Sequence, residues 1–259
     1  MNISLAPTLT YDKGNYMVLG GFWNGDMLIY SLDELGNKKD KTIKIVNIIS
    51  TNDLSPITHI KIDFSETFLI CTNTIGTLYV FTINNANKGE WFLNKKIQDN
   101  QKEITAIAIN ENLNIFVTCD KDGIINIYTL PKCKLINSYK LNESILPKYH
   151  TTNYPSFSRS ISNIYIYNSL NIYANEIIIS QSPLPCIIIH IGSRKSLLIF
   201  SINFHFIKEV NLNYEIVPNG IKKYTDYFSK DYLFIYNKNE STIDVYDNRG
   251  PVVESYQCN

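Results

Sequence analysis

Long apolar runs are missing from this 259-residue chain. Apolar runs such as 177–179 and 186–189 fall far short of the roughly 20 residues that a membrane span needs, so no transmembrane segment is expected. An excess of either charge is missing as well, since 24 Lys and Arg balance 24 Asp and Glu for a formal net charge of +0. No global field would draw in a nucleic-acid backbone or an acidic membrane, and nucleic acid is not expected as a partner. The five cysteines, Cys71, Cys119, Cys133, Cys186 and Cys258, include no C-x-x-C pair. Zinc and a disulfide framework are thereby disfavoured, and the thiols read as reduced packing groups.

Catalytic signatures are missing too. There is no Gly-x-Ser-x-Gly elbow, no phosphate-cradling glycine loop and no H-E-x-x-H. His59, His150, His190 and His205 lack metal-ligand spacing and read as packed or solvated side chains. Asp120 and Asp122 could form a carboxylate pair, but Gly123 beside them makes a turn the simpler reading. Neither an enzyme nor a cofactor or metal is expected. Residues 1–16 carry no positive n-region and no continuous apolar core, so they do not read as a secretory leader and a cytoplasmic location is expected.

What the chain does contain is a repeat. Five 15-residue windows, beginning at residues 17, 68, 115, 187 and 233, align without a gap: MVLGGFWNGDMLIYS, FLICTNTIGTLYVFT, IFVTCDKDGIINIYT, IIIHIGSRKSLLIFS and LFIYNKNESTIDVYD. Window positions one to three are apolar or aromatic, eleven and thirteen are aliphatic, fourteen is Tyr or Phe, and fifteen is Ser, Thr or Asp. The windows alternate at period two and are rich in Ile, Val, Tyr and Thr, which makes each a strand, a tight turn and a strand. A helical repeat would need a 3.6-residue apolar period.

The offsets between windows, 51, 47, 72 and 46 residues, lie near the roughly 40 to 45 residues of a propeller blade once loops are allowed to grow. Upstream, Ile57 to Ile62 aligns with Ile104 to Ile109 as a preceding strand, and a short alternating segment follows each window. Four strands per unit give an all-β chain of about five four-stranded blades, stacked because one blade cannot bury both of its faces. The reading is one propeller domain over 1–259, with blades near 3–49, 57–98, 104–141, 161–212 and 221–258. A Pro-rich loop insertion at 142–160 breaks the period and is a candidate interaction loop.

An aromatic followed by Asp at the end of a third strand is the mark of a WD repeat. Here the pairs are Tyr30-Ser31, Phe81-Thr82, Tyr128-Thr129, Phe200-Ser201 and Tyr246-Asp247. The third window matches best, with Asp122 where such repeats place a turn-stabilising carboxylate and Gly123 after it; the usual Gly-His pair is missing throughout. The chain thus resembles a degenerate WD-repeat β-propeller. More narrowly, Gly20-Gly21-Phe22-Trp23-Asn24-Gly25 with Leu28 to Ser31, and Ile199 to Asn203, are similar to blades of the C-terminal propeller of BEACH-domain proteins, the neurobeachin group.

That resemblance implies a cytosolic scaffold in membrane or vesicle trafficking. Its partners would be proteins, among them an adjacent BEACH module, with peripheral endomembrane association through those partners. The PH-like and BEACH modules that precede the propeller in that group are not in this sequence, and the group has six or seven blades, so the five visible units are expected to be part of a larger propeller. The alternatives are a WD-repeat subunit of an RNA-processing or ubiquitin-ligase assembly and, more remotely, a propeller enzyme.

Candidate interaction residues are Phe22 and Trp23, at a turn where the other windows carry polar residues, and Arg194-Lys195 in the turn of the fourth window. A cationic pair contributes only about 2 kcal/mol of attraction to an anionic surface, and a solvated turn competes with that reading. Lys38 to Lys41 and Lys222-Lys223 read as ordinary surface charge.

Overall fold

Each window folds as an antiparallel pair, with one further strand before it and one after it. The computed structural model describes residues 9–11, 16–20, 24–31, 45–63, 65, 67–83, 90–99, 102–141, 174–180, 184–191, 195–227, 230–247 and 252–258. The first sheet comprises β1 (Leu9–Tyr11), β2 (Tyr16–Gly20), β3 (Asp26–Ser31) and β4 (Ile45–Ser50). The second comprises β5 (Ile57–Ile62), β6 (Phe68–Asn73), β7 (Leu78–Ile83) and β8 (Trp91–Ile97). The third has β9 (Ile104–Asn110), β10 (Ile115–Asp120), β11 (Ile124–Thr129) and β12 (Leu135–Lys140). The fourth has β13 (Glu176–Ser180), β14 (Cys186–His190), β15 (Ser196–Ser201) and β16 (Phe206–Asn211), and the fifth β17 (Ile216–Thr225), β18 (Asp231–Asn237), β19 (Thr242–Asp247) and β20 (Val252–Gln257). The described strands of the first, fourth and fifth sheets begin at Leu9, Glu176 and Ile216, and the expected starts at 3 and 161 fall outside the described residues. Residues 3–8 and 142–173 lie outside the described residues.

Within every sheet the strands keep chain order. The first strands β1, β5, β9, β13 and β17 pack against one another in that succession. First strands therefore lie at the axis and fourth strands at the perimeter, which is a β-propeller. Burial follows the same order. Every residue of β10 and β14 is buried, whereas β8 and β12 are mostly exposed.

Four apolar cores fill the spaces between successive sheets. Met27 and Ile49 of the first meet Ile60, Leu69, Tyr79 and Phe81 of the second. Ile70, Leu78 and Val80 of the second meet Ile107, Phe116 and Tyr128 of the third. The third presents Val117, Ile125 and Ile127 to Ile177, Ile189 and Phe200, and the fourth presents Ile188, Leu197 and Ile199 to Leu233, Ile235 and Tyr246. The repeat pattern acquires a direction here. In the second to fourth sheets the aliphatic positions eleven and thirteen face the next sheet, and in the second to fifth the aromatic of position fourteen faces the previous one.

The ungapped alignment hides a one-residue offset. In the second and third windows position two stands opposite position fourteen, as in Leu69 with Phe81 and Phe116 with Tyr128. In the other three position one does, as in Met17 with Tyr30, Ile187 with Phe200 and Leu233 with Tyr246. The difference is absorbed in the turn. Second strands such as β10 and β14 are buried on both faces, so they read as unbroken apolar runs with no alternation to reveal their register.

Candidate functional site

The turns between second and third strands carry most of the residues that the sequence singles out. Gly25, Gly76 and Gly123, all at window position nine, have φ of 79°, 86° and 76°, and Ser241 at the same position has 54°. This left-handed backbone is free of steric cost only for glycine. The carbonyl at position nine accepts an N–H from just beyond the fourth strand in four sheets: Thr51 to Gly25 (3.2 Å), Leu141 to Gly123 (2.8 Å), Leu212 to Lys195 (2.9 Å) and Cys258 to Ser241 (2.8 Å). A Cβ on Gly76 would stand 2.1 Å from the Lys102 carbonyl oxygen, because the connection to the next sheet runs against the glycine.

Asp120 and Asp122, both read as turn residues, lie at this turn, and Asp120 holds it with its carboxylate. It is Asp120 Oδ1 that receives the N–H groups of Asp122 (3.0 Å) and Ile124 (2.8 Å). The residue at the end of the strand can curl back over the turn, whereas Asp122 sits within it and supplies a backbone donor. Asn73 does the same in the second sheet, its Oδ1 accepting from Ile75 (3.2 Å) and Thr77 (2.9 Å). The small hydroxyl of position fifteen holds the next turn. Thr129 Oγ1 accepts the Lys134 N–H and Ser201 Oγ accepts that of His205, both at 3.1 Å. Lys195 is exposed; Phe22, Trp23, Arg194, Lys38 to Lys41 and the 142–160 insertion lie outside the described residues.

The perimeter carries a feature that the sequence reading passed over. In all five sheets the register between third and fourth strands shifts immediately before the aromatic of position fourteen: at Tyr30, Phe81, Tyr128, Phe200 and Tyr246. Such a bulge puts an extra residue on the outer strand and turns it outward. In the third and fourth sheets the extra residue is Ile136 and Ile207, 47% and 53% exposed, and the aromatic's partner is Leu135 or Phe206, also exposed. The second sheet exposes Phe92 and Leu93 at the same end of its outer strand. Three consecutive blades thus present exposed apolar pairs at one level of the perimeter. The signal was in the sequence, as paired apolar residues opening each fourth strand.

At the axis, first strands of four sheets enclose a cavity of about 160 Å³. His59 and Lys61 come from β5, Glu176 from β13, and Lys222 and Lys223 from β17. Lys222, whose side chain is exposed, and Lys223 line this cavity at the axis, where β17 carries them. Burial, and then the charge of Lys61, lowers the His59 pKa to about 4, although Glu103 and a Thr105 backbone contact oppose the shift. Burial also holds Lys61 below the usual lysine range; Lys222 adds to that and Glu176 opposes it. Lys223 has a carboxylate neighbour, Asp231 at 3.9 Å, which is itself held by Ser180 and Thr225. A second, larger cleft of about 750 Å³ lies between the fourth and fifth sheets beside Lys208, Tyr214, Asp244 and Tyr246.

The four cysteines of the blades are buried and the fifth, Cys258, is partly so, all as free thiols. Burial pushes the Cys119 thiol up to about 12, away from thiolate chemistry. Among the described residues no cluster of His, Cys, Asp and Glu could hold a metal ion, and no helix is long and apolar enough to cross a membrane. No protein-family model matches the chain, and no curated protein is significantly similar to it.

Proposed function

We propose that the protein is a non-catalytic interaction scaffold, and that its specific role is as the propeller portion of a BEACH-type protein in membrane or vesicle trafficking. The perimeter belt carries the first part. Paired exposed apolar residues recurring on adjacent blades are what a protein partner can desolvate, and four inter-sheet cores make the blades beneath them a rigid support. The specific role is supported by the resemblance of Gly20 to Ser31 and of Ile199 to Asn203 to blades of that group. It calls for protein partners in the cytoplasm, an adjacent BEACH module among them, and for endomembrane association through those partners.

The test is affinity capture from native cells, with quantitative mass spectrometry, comparing the natural chain with an L135S/I136S/F206S/I207S variant. Trafficking proteins captured by the natural chain and lost by the variant are the expected result. Equal recovery on both chains would remove the belt as the interaction surface. A lost set made of RNA-processing or ubiquitin-ligase subunits would replace the trafficking role with membership of that assembly.

A further inference from the structure

We infer that the axial cavity is a binding site for a phosphate group, carried by inorganic phosphate or by a small phosphomonoester, with Lys61 and Lys222 as its principal donors. The inference is separate from the scaffold reading and survives or fails without it. It begins with an uneconomical choice of residue. Lys61 is half-buried at the axis, and no carboxylate lies within ion-pair distance of it or of Lys222 among the described residues. Taking an ammonium out of water without a partner is costly. The fold does not require it, because the matching position of the third sheet is Ala108 and that of His59 is Ala106, both buried.

The charges converge on one space. Lys222 on β17 lies close enough to Lys61 on β5 to raise the cost of the Lys61 charge, and Glu176 on β13 is the one carboxylate of the lining among the described residues. Lys223 is drawn toward Asp231. The lining is thus cationic by Lys61 and Lys222 against Glu176, in a site walled by strands. An oxyanion placed between the two ammonium groups would turn their mutual repulsion into two charge-assisted hydrogen bonds. His59 Nδ1, buried and with no hydrogen-bond partner among the described residues, adds a group that can accept a proton and then donate to the same anion. The volume of about 160 Å³ equals about five waters at roughly 30 Å³ each, enough for a phosphate group and too little for a nucleotide.

Isothermal titration and thermal unfolding in phosphate-free buffer at pH 7 test this. The probes are inorganic phosphate and glycerol 3-phosphate, added to the natural chain and to K61M, K222M and the perimeter control K95M. Inorganic phosphate is expected to bind and raise Tm. K61M and K222M are each expected to weaken it about ten-fold or more, with K95M unchanged. K61M should at the same time raise Tm in the absence of phosphate, since it removes a half-buried charge; higher stability with lower affinity is a pairing that a purely structural lysine would not give. Competition by glycerol 3-phosphate assigns the site to phosphomonoesters, and its failure to bind assigns the site to free phosphate. Absence of phosphate binding by the natural chain overturns the inference, as does equal binding by the natural chain and K222M, a substitution at an exposed side chain that leaves the cores in place.

Discussion

Gly76 and Gly123 share a window position and a left-handed backbone conformation. Gly123→Ala places a side chain at a left-handed φ, which by itself is expected to cost about 1 kcal/mol. Gly76→Ala also drives a Cβ against the Lys102 carbonyl oxygen at 2.1 Å and is expected to cost more, about 2–4 kcal/mol; urea unfolding of the two variants measures the difference. His59 makes a pH prediction. Its pKa falls from 6.5 to about 4 on folding, so between those values the unfolded chain binds more protons than the folded one, and stability is lost as pH drops through that window. The loss is on the order of 3 kcal/mol at about 1.4 kcal/mol per unit. Urea midpoints at pH 7, 5.5 and 4.5 should show the decline, and His59→Gln should flatten it. Asp53 acts in a lower window. Its hydrogen bonds from Lys96 and Tyr79 lower its pKa below 3.8, so its contribution persists above that value and is lost only in stronger acid.

At the scale of the element, the third strand and the bulge beside it do most to define a blade. Phe200 is fully buried, stacks on Phe204 at 4.5 Å and meets Phe206 edge-on at 5.7 Å. Phe200→Ala is expected to cost about 3–5 kcal/mol, as for other buried aromatics, whereas Ile136→Ser on the exposed bulge should cost less than about 1 kcal/mol. Chemical denaturation of both variants checks the ratio. Positions eleven, thirteen, fourteen and fifteen were legible in the sequence because each has one environment: forward core, backward core, or turn acceptor. The register of the second strand was not, since a strand buried on both faces accepts an apolar residue everywhere. The choice between Asp120 and Asp122 was not legible for a related reason. Which of two nearby carboxylates bends over a turn depends on where the strand ends, and that is set by pairing with the neighbouring strand.

For the whole molecule, stability is shared out between blades. Among the described residues each core is made of two successive sheets. A chain ending at Leu141 would keep three sheets but uncover Val117, Ile125 and Ile127, which pack on the fourth. Such a chain is expected to retain β structure by far-UV circular dichroism while binding a hydrophobic dye and losing a sharp thermal transition. A transition as sharp as that of the full chain would show that the third sheet does not depend on the fourth.

By itself the sequence determined the number of repeated units, the strand and turn order within each, and the residues that build the cores. These follow from short-range patterns: alternation, turn glycines and a recurring aromatic. Only the tertiary structure decided that Lys61 and Lys222, 161 positions apart in the chain, face one cavity, and that apolar pairs on three outer strands line up along the perimeter. Both are matters of how blades are arranged around an axis. The curvature that closes first strands on a common space and bulges fourth strands outward is a property of stacked sheets, and no local stretch of sequence contains it.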